Sequence, residues 1–250
     1  MESELVKNYF EDMRVVCDYA RAVREVGLWE SERIVVERFV SKDAKILELG
    51  CGAGRIAIGL GKIGYTDIAA IDFSSNMIDV AKLIGEEMGY KIKFSEGDAT
   101  NLKFSDGQFD AVIFGFNGLM QIPRRANRKR ALTEIRRVLR PEGVFIFTTH
   151  DRSTNPDYWE KEAAKWERGN SDALLDEFGD KYYAGEHGNI YIHSPEDAEI
   201  ESDLISCGFK TVFKAFRSDI CQESMPVRNF SDECVFRAAK YSDKYQKNKL

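Results

Sequence analysis

Ile46-Leu47-Glu48-Leu49-Gly50-Cys51-Gly52-Ala53-Gly54-Arg55 decides how the rest of the chain is read. A short apolar run closes on an acidic residue, three glycines then alternate with small residues, and a helical pattern follows. This is the grammar of a strand, a tight glycine-rich turn and a helix N-terminus, the arrangement with which α/β sheets cradle nucleotides. Lacking Cβ, the glycines let the backbone take positive φ and approach a ligand closely.

Working outward, short apolar runs alternate with amphipathic segments. Strands are expected at Lys45–Leu49, Asp67–Ile71, Lys91–Glu96, Phe109–Gly115 and Gly143–Thr149, with helices near Arg55–Ile63, Ser75–Met88 and Ala126–Leu139. Such alternation marks βαβ units and a parallel sheet covered on both faces. Right-handed crossovers place the strand-to-helix loops at the carboxyl edge, where ligands bind. Before Lys45 the pattern is helical: Leu5, Tyr9, Met13 and Val16 recur at helical spacing, then Ile34, Val35 and Phe39. After Thr149 the rhythm breaks into an aromatic and charged insertion, about Asp151 to His193, read as one or two helices. A helix is expected to open at Ser194-Pro195, with Ser194 as N-cap and Pro195 at the first position, and to end at Cys207-Gly208. Two late strands follow near Phe209–Phe216 and Glu233–Ala239, and the tail from Tyr241 reads as polar and frayed.

Composition narrows the class. At 250 residues the chain can enclose a large α/β core, and its net charge of −6 argues against a nucleic-acid surface. The acidic start and the lack of a long apolar run predict neither secretory leader nor membrane span. Cys17, Cys51, Cys207, Cys221 and Cys234 are scattered, with no C-x-x-C pair, and read as reduced thiols of a cytoplasmic protein. No His/Cys/Asp cluster has metal-site spacing, so no metal is expected.

Two ligands compete for the glycine turn. Gly52-Ala53-Gly54-Arg55-Ile56-Ala57 satisfies the dinucleotide pattern G-x-G-x-x-A, with Asp72 placed to hold a ribose, as in an NAD(P)-dependent oxidoreductase. Four further stretches point elsewhere: Ala70-Ile71-Asp72-Phe73-Ser74-Ser75-Asn76-Met77, Gly97-Asp98-Ala99, Phe104-Ser105-Asp106-Gly107-Gln108-Phe109-Asp110-Ala111-Val112 and Leu139-Arg140-Pro141-Glu142-Gly143-Val144-Phe145. Together with Glu48–Gly54 they make the chain resemble the class I S-adenosylmethionine-dependent methyltransferases over roughly Asp43 to Ala239. The resemblance implies a Rossmann-like, doubly wound seven-stranded sheet, mostly parallel with the last strand inserted antiparallel. Residues 1–250 then form one domain, with 1–42 an N-terminal helical lid and 151–193 an inserted cap. It also implies S-adenosyl-L-methionine as cofactor. Gly50, Gly52 and Gly54 would pack on its methionine part, and Glu48 would lie near its amino group. Asp72 would accept from both ribose hydroxyls, Phe73 and Met77 would enclose the adenine, and Asp98 with the Ala99 amide would read the adenine edge.

The acceptor is less legible. Phe116 and Asn117 follow the fourth strand, and His150 and Asp151 follow the fifth, all at the carboxyl edge beside the expected methyl group. Phe116 is counted with the cofactor site. His150 and Asn117 are the candidate catalytic groups, His150 as a base because its ordinary pKa is near neutral. His187 and His193 are read as structural. The basic run Arg124-Arg125-Ala126-Asn127-Arg128-Lys129-Arg130 lies on a helix whose Leu132, Ile135 and Leu139 share one face, with Arg128, Lys129, Arg136 and Arg137 largely on the other. That is an amphipathic surface helix. With no appended nucleic-acid module, the expected acceptor is a small molecule. Methylation of RNA or protein, an NAD(P)-dependent oxidoreductase, and a non-catalytic cofactor-binding protein are the alternatives.

Overall fold

In the computed structural model, which describes residues 2–169 and 175–241, the glycine turn sits where the strand order reverses. The N-terminal helices are α1 (Glu2–Glu11), α2 (Met13–Glu25) and α3 (Glu30–Phe39). The sheet then begins with β1 (Lys45–Leu49), α4 (Arg55–Lys62), β2 (Asp67–Asp72), α5 (Ser75–Glu87) and β3 (Lys93–Glu96). β4 (Phe109–Phe114), α6 (Arg125–Val138) and β5 (Leu139–Thr149) build the other half. The insertion holds α7 (Pro156–Glu167) and a hairpin of β6 (Asp180–Gly185) and β7 (Gly188–His193). The chain closes with α8 (Asp197–Ser206), β8 (Phe209–Phe216), α9 (Arg217–Ile220), α10 (Met225–Phe230) and β9 (Val235–Tyr241).

The order β3-β2-β1-β4-β5-β9-β8 makes a seven-stranded sheet, with β9 antiparallel to both neighbours and the first five strands parallel. The expected Rossmann-like sheet, with its last strand inserted antiparallel, is the observed one. Strand periodicity divides the core. Ile46, Ala111, Ile113 and Ile146 face one layer, while Leu47, Leu49, Val112, Phe145 and Phe147 face the other. Glu48 shares its face with Ile46 and so points toward the N-terminal helices.

Several expectations need correction. The helix expected at Ser194 starts at Asp197, with Glu196 as its cap residue. The Ser194 amide is spent on the Gly179 carbonyl, 2.9 Å away, which extends the hairpin's pairing. The insertion is part helix and part hairpin, because Tyr182, Tyr183, Ile190 and Tyr191 pair across two strands. Leu5 and Met13 are exposed, while Val6, Phe10, Val15 and Val16 are buried. The break at Asp12, whose carboxylate accepts from the Arg14 amide, resets the helical phase between α1 and α2. β5 begins at Leu139, four residues before the expected Gly143, with a register shift opposite Phe109 and Ala111 that accommodates Pro141. Arg128 is 2% exposed rather than on the solvent face. The tail beyond Tyr241 and residues 170–174 of the insertion lie outside the described residues. No described helix is long and apolar enough to cross a membrane.

Candidate active site

The glycine turn is fastened to β2 by two backbone groups. The Cys51 amide donates to the Ile71 carbonyl at 3.0 Å, and the Gly52 amide to Asp72 Oδ2 at 2.9 Å. Gly52 has φ +52°, and a Cβ there would stand 3.0 Å from the Tyr19 ring, so a larger residue would be strained in its backbone and would have to push the ring aside. Asp72 ends β2 and is buried; its Oδ1 accepts from the Ser74 amide at 2.9 Å. Each oxygen therefore holds one backbone N–H and retains further acceptor capacity. Burial pushes the Asp72 carboxyl up to about 6, against the amides that favour its charged form.

Glu48, one strand away, is 2% exposed, and its Oε2 has no hydrogen-bond partner. Burial raises its carboxyl to about 8, with Arg55 opposing the shift. An unpartnered buried polar atom costs about 1–3 kcal/mol and calls for an explanation. Arg55 is itself fixed: it donates to both carboxylate oxygens of Glu32 at 2.7 and 2.6 Å and to the Gly27 carbonyl at 2.7 Å, with its guanidinium 4.8 Å over the Trp29 ring. Glu32 also accepts from the Trp29 amide at 2.8 Å, closing the first turn of α3. This buried clamp ties α3 to the glycine turn. Glu32 has no role in the sequence reading above. Only the acidic residue in the first turn of a predicted helix hints at the clamp.

These groups border a cavity of about 740 Å³ whose walls include Gly50, Gly52, Glu48, Asp72, Phe73 and Phe116. Asp98 and Ala99 line its far end, where Asp98 Oδ1 accepts from the Thr100 amide and hydroxyl at 2.8 and 2.9 Å. Val6, Lys7 and Phe10 of α1 and Tyr19 of α2 line it as well. α1 is clasped there: Glu11 accepts from the Ser75 and Asn76 amides at 2.9 and 3.3 Å, and the Ser74 hydroxyl donates to the Phe10 carbonyl at 2.9 Å. Two expected residues stand apart from the lining. Met77 is fully buried in the core under α5, and Gly54 packs against the Phe94 ring.

At the β4 end, Phe116 and Asn117 both adopt positive φ, +48° and +59°, a strained pair of side-chain-bearing residues. The Phe116 ring stacks on Phe230, centroids 5.0 Å apart at 21°. Asn117 and His150 do meet, as topology predicts, but they meet each other: Asn117 Nδ2 lies 3.1 Å from His150 Nε2. His150 Nδ1 lies 3.2 Å from the Glu233 carbonyl. Neither residue lines the cavity, and burial lowers the imidazole pKa. His150 is thus placed as a tethered residue behind the Phe116 turn.

The basic helix has been absorbed into the fold. Arg128 donates to Glu177 at 2.6 Å and lies 3.7 Å from Glu199, and Arg125 pairs with Asp203 at 2.9 Å. His193, fully buried, sits 2.8 Å from both Asp180 and Glu199. Glu177, His193 and Glu199 converge as metal ligands would, and so do Asp18, Glu186 and His187, groupings that sequence spacing does not reveal. In the first, a cation is already present as the Arg128 guanidinium.

Residues 46–143 match the family profile described as "Methyltransferase domain". The matched segment runs from β1 into β5 and contains the glycine turn and Asp72. It is 35% identical over 127 residues to a demethylmenaquinone methyltransferase of Staphylococcus saprophyticus, covering 50% of this chain and 52% of that one. The chain thus spans about half the length of the curated relatives it matches. Among solved structures it resembles a SAM-dependent methyltransferase from Methanosarcina mazei (TM-score 0.68, 20% identity, 84% of this chain and 98% of that one). It also resembles the Burkholderia thailandensis 1,6-didemethyltoxoflavin-N1-methyltransferase with bound 1,6-didemethyltoxoflavin and S-adenosylhomocysteine (TM-score 0.62, 17% identity, 97% and 87%). At these identities the structural likeness speaks to the fold.

Proposed function

We propose that this chain transfers a methyl group from S-adenosyl-L-methionine to a small-molecule acceptor. One observation carries the reading: a single cavity joins a glycine turn whose positive φ at Gly52 disfavours a Cβ, an Asp72 carboxylate with acceptor capacity to spare, and an unpartnered Glu48 oxygen. These groups fit the cofactor's parts. Asp72 receives the ribose hydroxyls, Glu48 takes the amino group and so gains its missing partner, and Gly50 and Gly52 lie along the methionine part. Phe73 covers one side of the adenine, and Asp98 and the Ala99 amide meet its edge. Gly54 and Met77 act indirectly, by shaping the turn and backing the adenine wall. When bound, the cofactor supplies an electrophilic methyl group on a sulfonium. The protein's share of the work is proximity, orientation and exclusion of water. Helices α1–α3 serve as the lid over that site, and residues 151–193 as the cap of the same domain.

Two observations favour a small acceptor. Relatives of the matched half are named for demethylmenaquinone, and in the basic run of α6 Arg128 and Arg125 are engaged with Glu177 and Asp203. All five cysteines are free thiols, which suits action in the cytoplasm. Asp72 binds as the carboxylate, so affinity for S-adenosylhomocysteine is expected to fall as pH drops below about 6. Titration calorimetry across pH 5–8 checks this, and a flat profile would misplace the ribose.

A further inference from the structure

We propose that the methyl acceptor is a flat, uncharged aromatic ring carrying an oxygen, seated against Tyr19, Phe116 and Phe230, and that the Tyr19 hydroxyl donates a hydrogen bond to that oxygen. The proposal rests on the methyltransferase reading above and names the substrate class of the same cavity.

The cofactor groups assigned above account for the walls at Glu48, Gly50, Gly52, Asp72, Phe73, Asp98 and Ala99. At the other side of the glycine turn the lining is aromatic and small: Tyr19 and Ala22 of α2, Phe116 after β4, and Phe230 of α10. Tyr19 and Ala22 are three apart and share one face of their helix. The Tyr19 ring lies over Gly52 and stands at 81° to the Phe116 ring, with centroids 6.2 Å apart. It therefore bridges the glycine turn and the turn after β4. Two perpendicular ring planes bound a slot that a flat ring fills with its face on one wall and its edge on the other, the arrangement aromatic groups favour. Phe230 backs Phe116 by stacking on it. Phe116 holds φ +48°, a strained conformation for a side-chain-bearing residue, in the turn that carries its ring to the cavity.

Charge at this end is already spent. Arg55 is paired with both oxygens of Glu32, and Lys7 reaches Glu96 at 3.3 Å. The polar group left over is the Tyr19 hydroxyl. It makes no hydrogen bond among the described residues, and it is not one of the sealed, buried orphans, so it is open to the cavity that Tyr19 lines. Desolvation raises this phenol above its ordinary pKa, so it stays protonated and acts as a donor, not as a base. In the transfer, the acceptor atom forms its bond to the methyl carbon as the carbon–sulfur bond breaks. The electron pair stays on sulfur, and the acceptor atom's proton goes to water. Tyr19 keeps its own proton throughout and works by placing the ring.

Three probes of one carbon skeleton test this by calorimetry on the protein saturated with S-adenosylhomocysteine: 2-naphthol, naphthalene, which lacks the oxygen, and decahydro-2-naphthol, which is not flat. 2-Naphthol is expected to bind one-to-one and about tenfold more tightly than naphthalene, the upper scale of one hydrogen bond. Y19F keeps the ring and should bring the two to equal affinity, with S-adenosylhomocysteine affinity within about twofold of wild type. F230A should weaken both aromatic probes by about threefold to tenfold. Decahydro-2-naphthol binding as well as 2-naphthol would overturn the proposal, as would a preference for 2-naphthol that survives in Y19F, or wild-type complex that binds neither aromatic probe. Wild-type protein that does not bind S-adenosylhomocysteine would instead overturn the underlying reading, and the proposal with it.

Discussion

Two cavities of nearly equal volume open at the carboxyl edge of the sheet, and they differ in how their polar groups are spent. The one above β1, β2 and β4, about 740 Å³, borders an acidic oxygen with no partner and a second carboxylate with capacity left over. The other, about 770 Å³, lies between the cap and the β8–β9 edge, lined by Arg152, Trp159, Phe178 and Asp197 among others. Its charges largely answer one another. Asp197 holds Lys214 and Arg237 at 2.8 and 2.7 Å, Arg152 lies 3.4 Å from Glu196, and its guanidinium sits 4.8 Å over the Phe178 ring. Volume does not distinguish a site here; the kind of unspent capacity does, an acceptor (Glu48 Oε2) beside the glycine turn and donors (Arg152 Nε, Arg237 Nη2) beside the cap.

The contrast predicts that damage on the two sides will register differently, as stability beside the cap and as affinity beside the glycine turn. Arg128→Ala removes the cation that lies between Glu177 and Glu199. It should cost about 3–5 kcal/mol in urea unfolding, the scale for breaking a buried pair, with S-adenosylhomocysteine affinity of the folded fraction unchanged. A loss of affinity without a loss of stability would reverse the division. Met77→Ala should cost about 2–5 kcal/mol of stability as a core truncation, again with little change in affinity. Weaker binding at full stability would return Met77 to the adenine wall. Asp72→Ala should do the opposite, weakening S-adenosylhomocysteine by about 1.5–3 kcal/mol as measured by calorimetry.

Glu48→Gln sharpens the comparison through its pH dependence. The folded-state pKa is raised to about 8 from 4.5, so the wild-type protein holds this contribution below about pH 4.5 and loses it as pH rises toward 8. The glutamine variant carries no such loss. Its advantage in thermal or urea unfolding should grow with pH by up to about 1.4 kcal/mol per unit across that window. A constant difference would show that Glu48 is charged throughout.

The glycine-turn side was largely legible because its signals are local. Alternation along Lys45–Leu49 and Asp67–Asp72 fixes strand, face and carboxyl end together, so Glu48, Gly52 and Asp72 converge from sequence position alone. What failed to show depended on partners far along the chain. A helical wheel of α6 puts Arg128 outward because the wheel contains neither Glu177 nor Glu199, which arrive from the cap and from α8. The Glu32–Arg55 clamp joins residues 23 apart on different helices, and nothing in either helix's period announces it. The helical spacing of Leu5 and Met13 misled because it ran across the break at Asp12. His150 reads as a base from its place after β5, but only the Glu233 carbonyl and the Asn117 amide reveal that both its nitrogens are taken.

The central claim is that the glycine-turn cavity receives S-adenosyl-L-methionine. Titration calorimetry of the wild-type chain with S-adenosylhomocysteine and, separately, with NAD tests it most directly. The predicted result is one-to-one binding of S-adenosylhomocysteine, weakened in Asp72→Ala, and no heat with NAD. Tight NAD binding with no response to S-adenosylhomocysteine would contradict it.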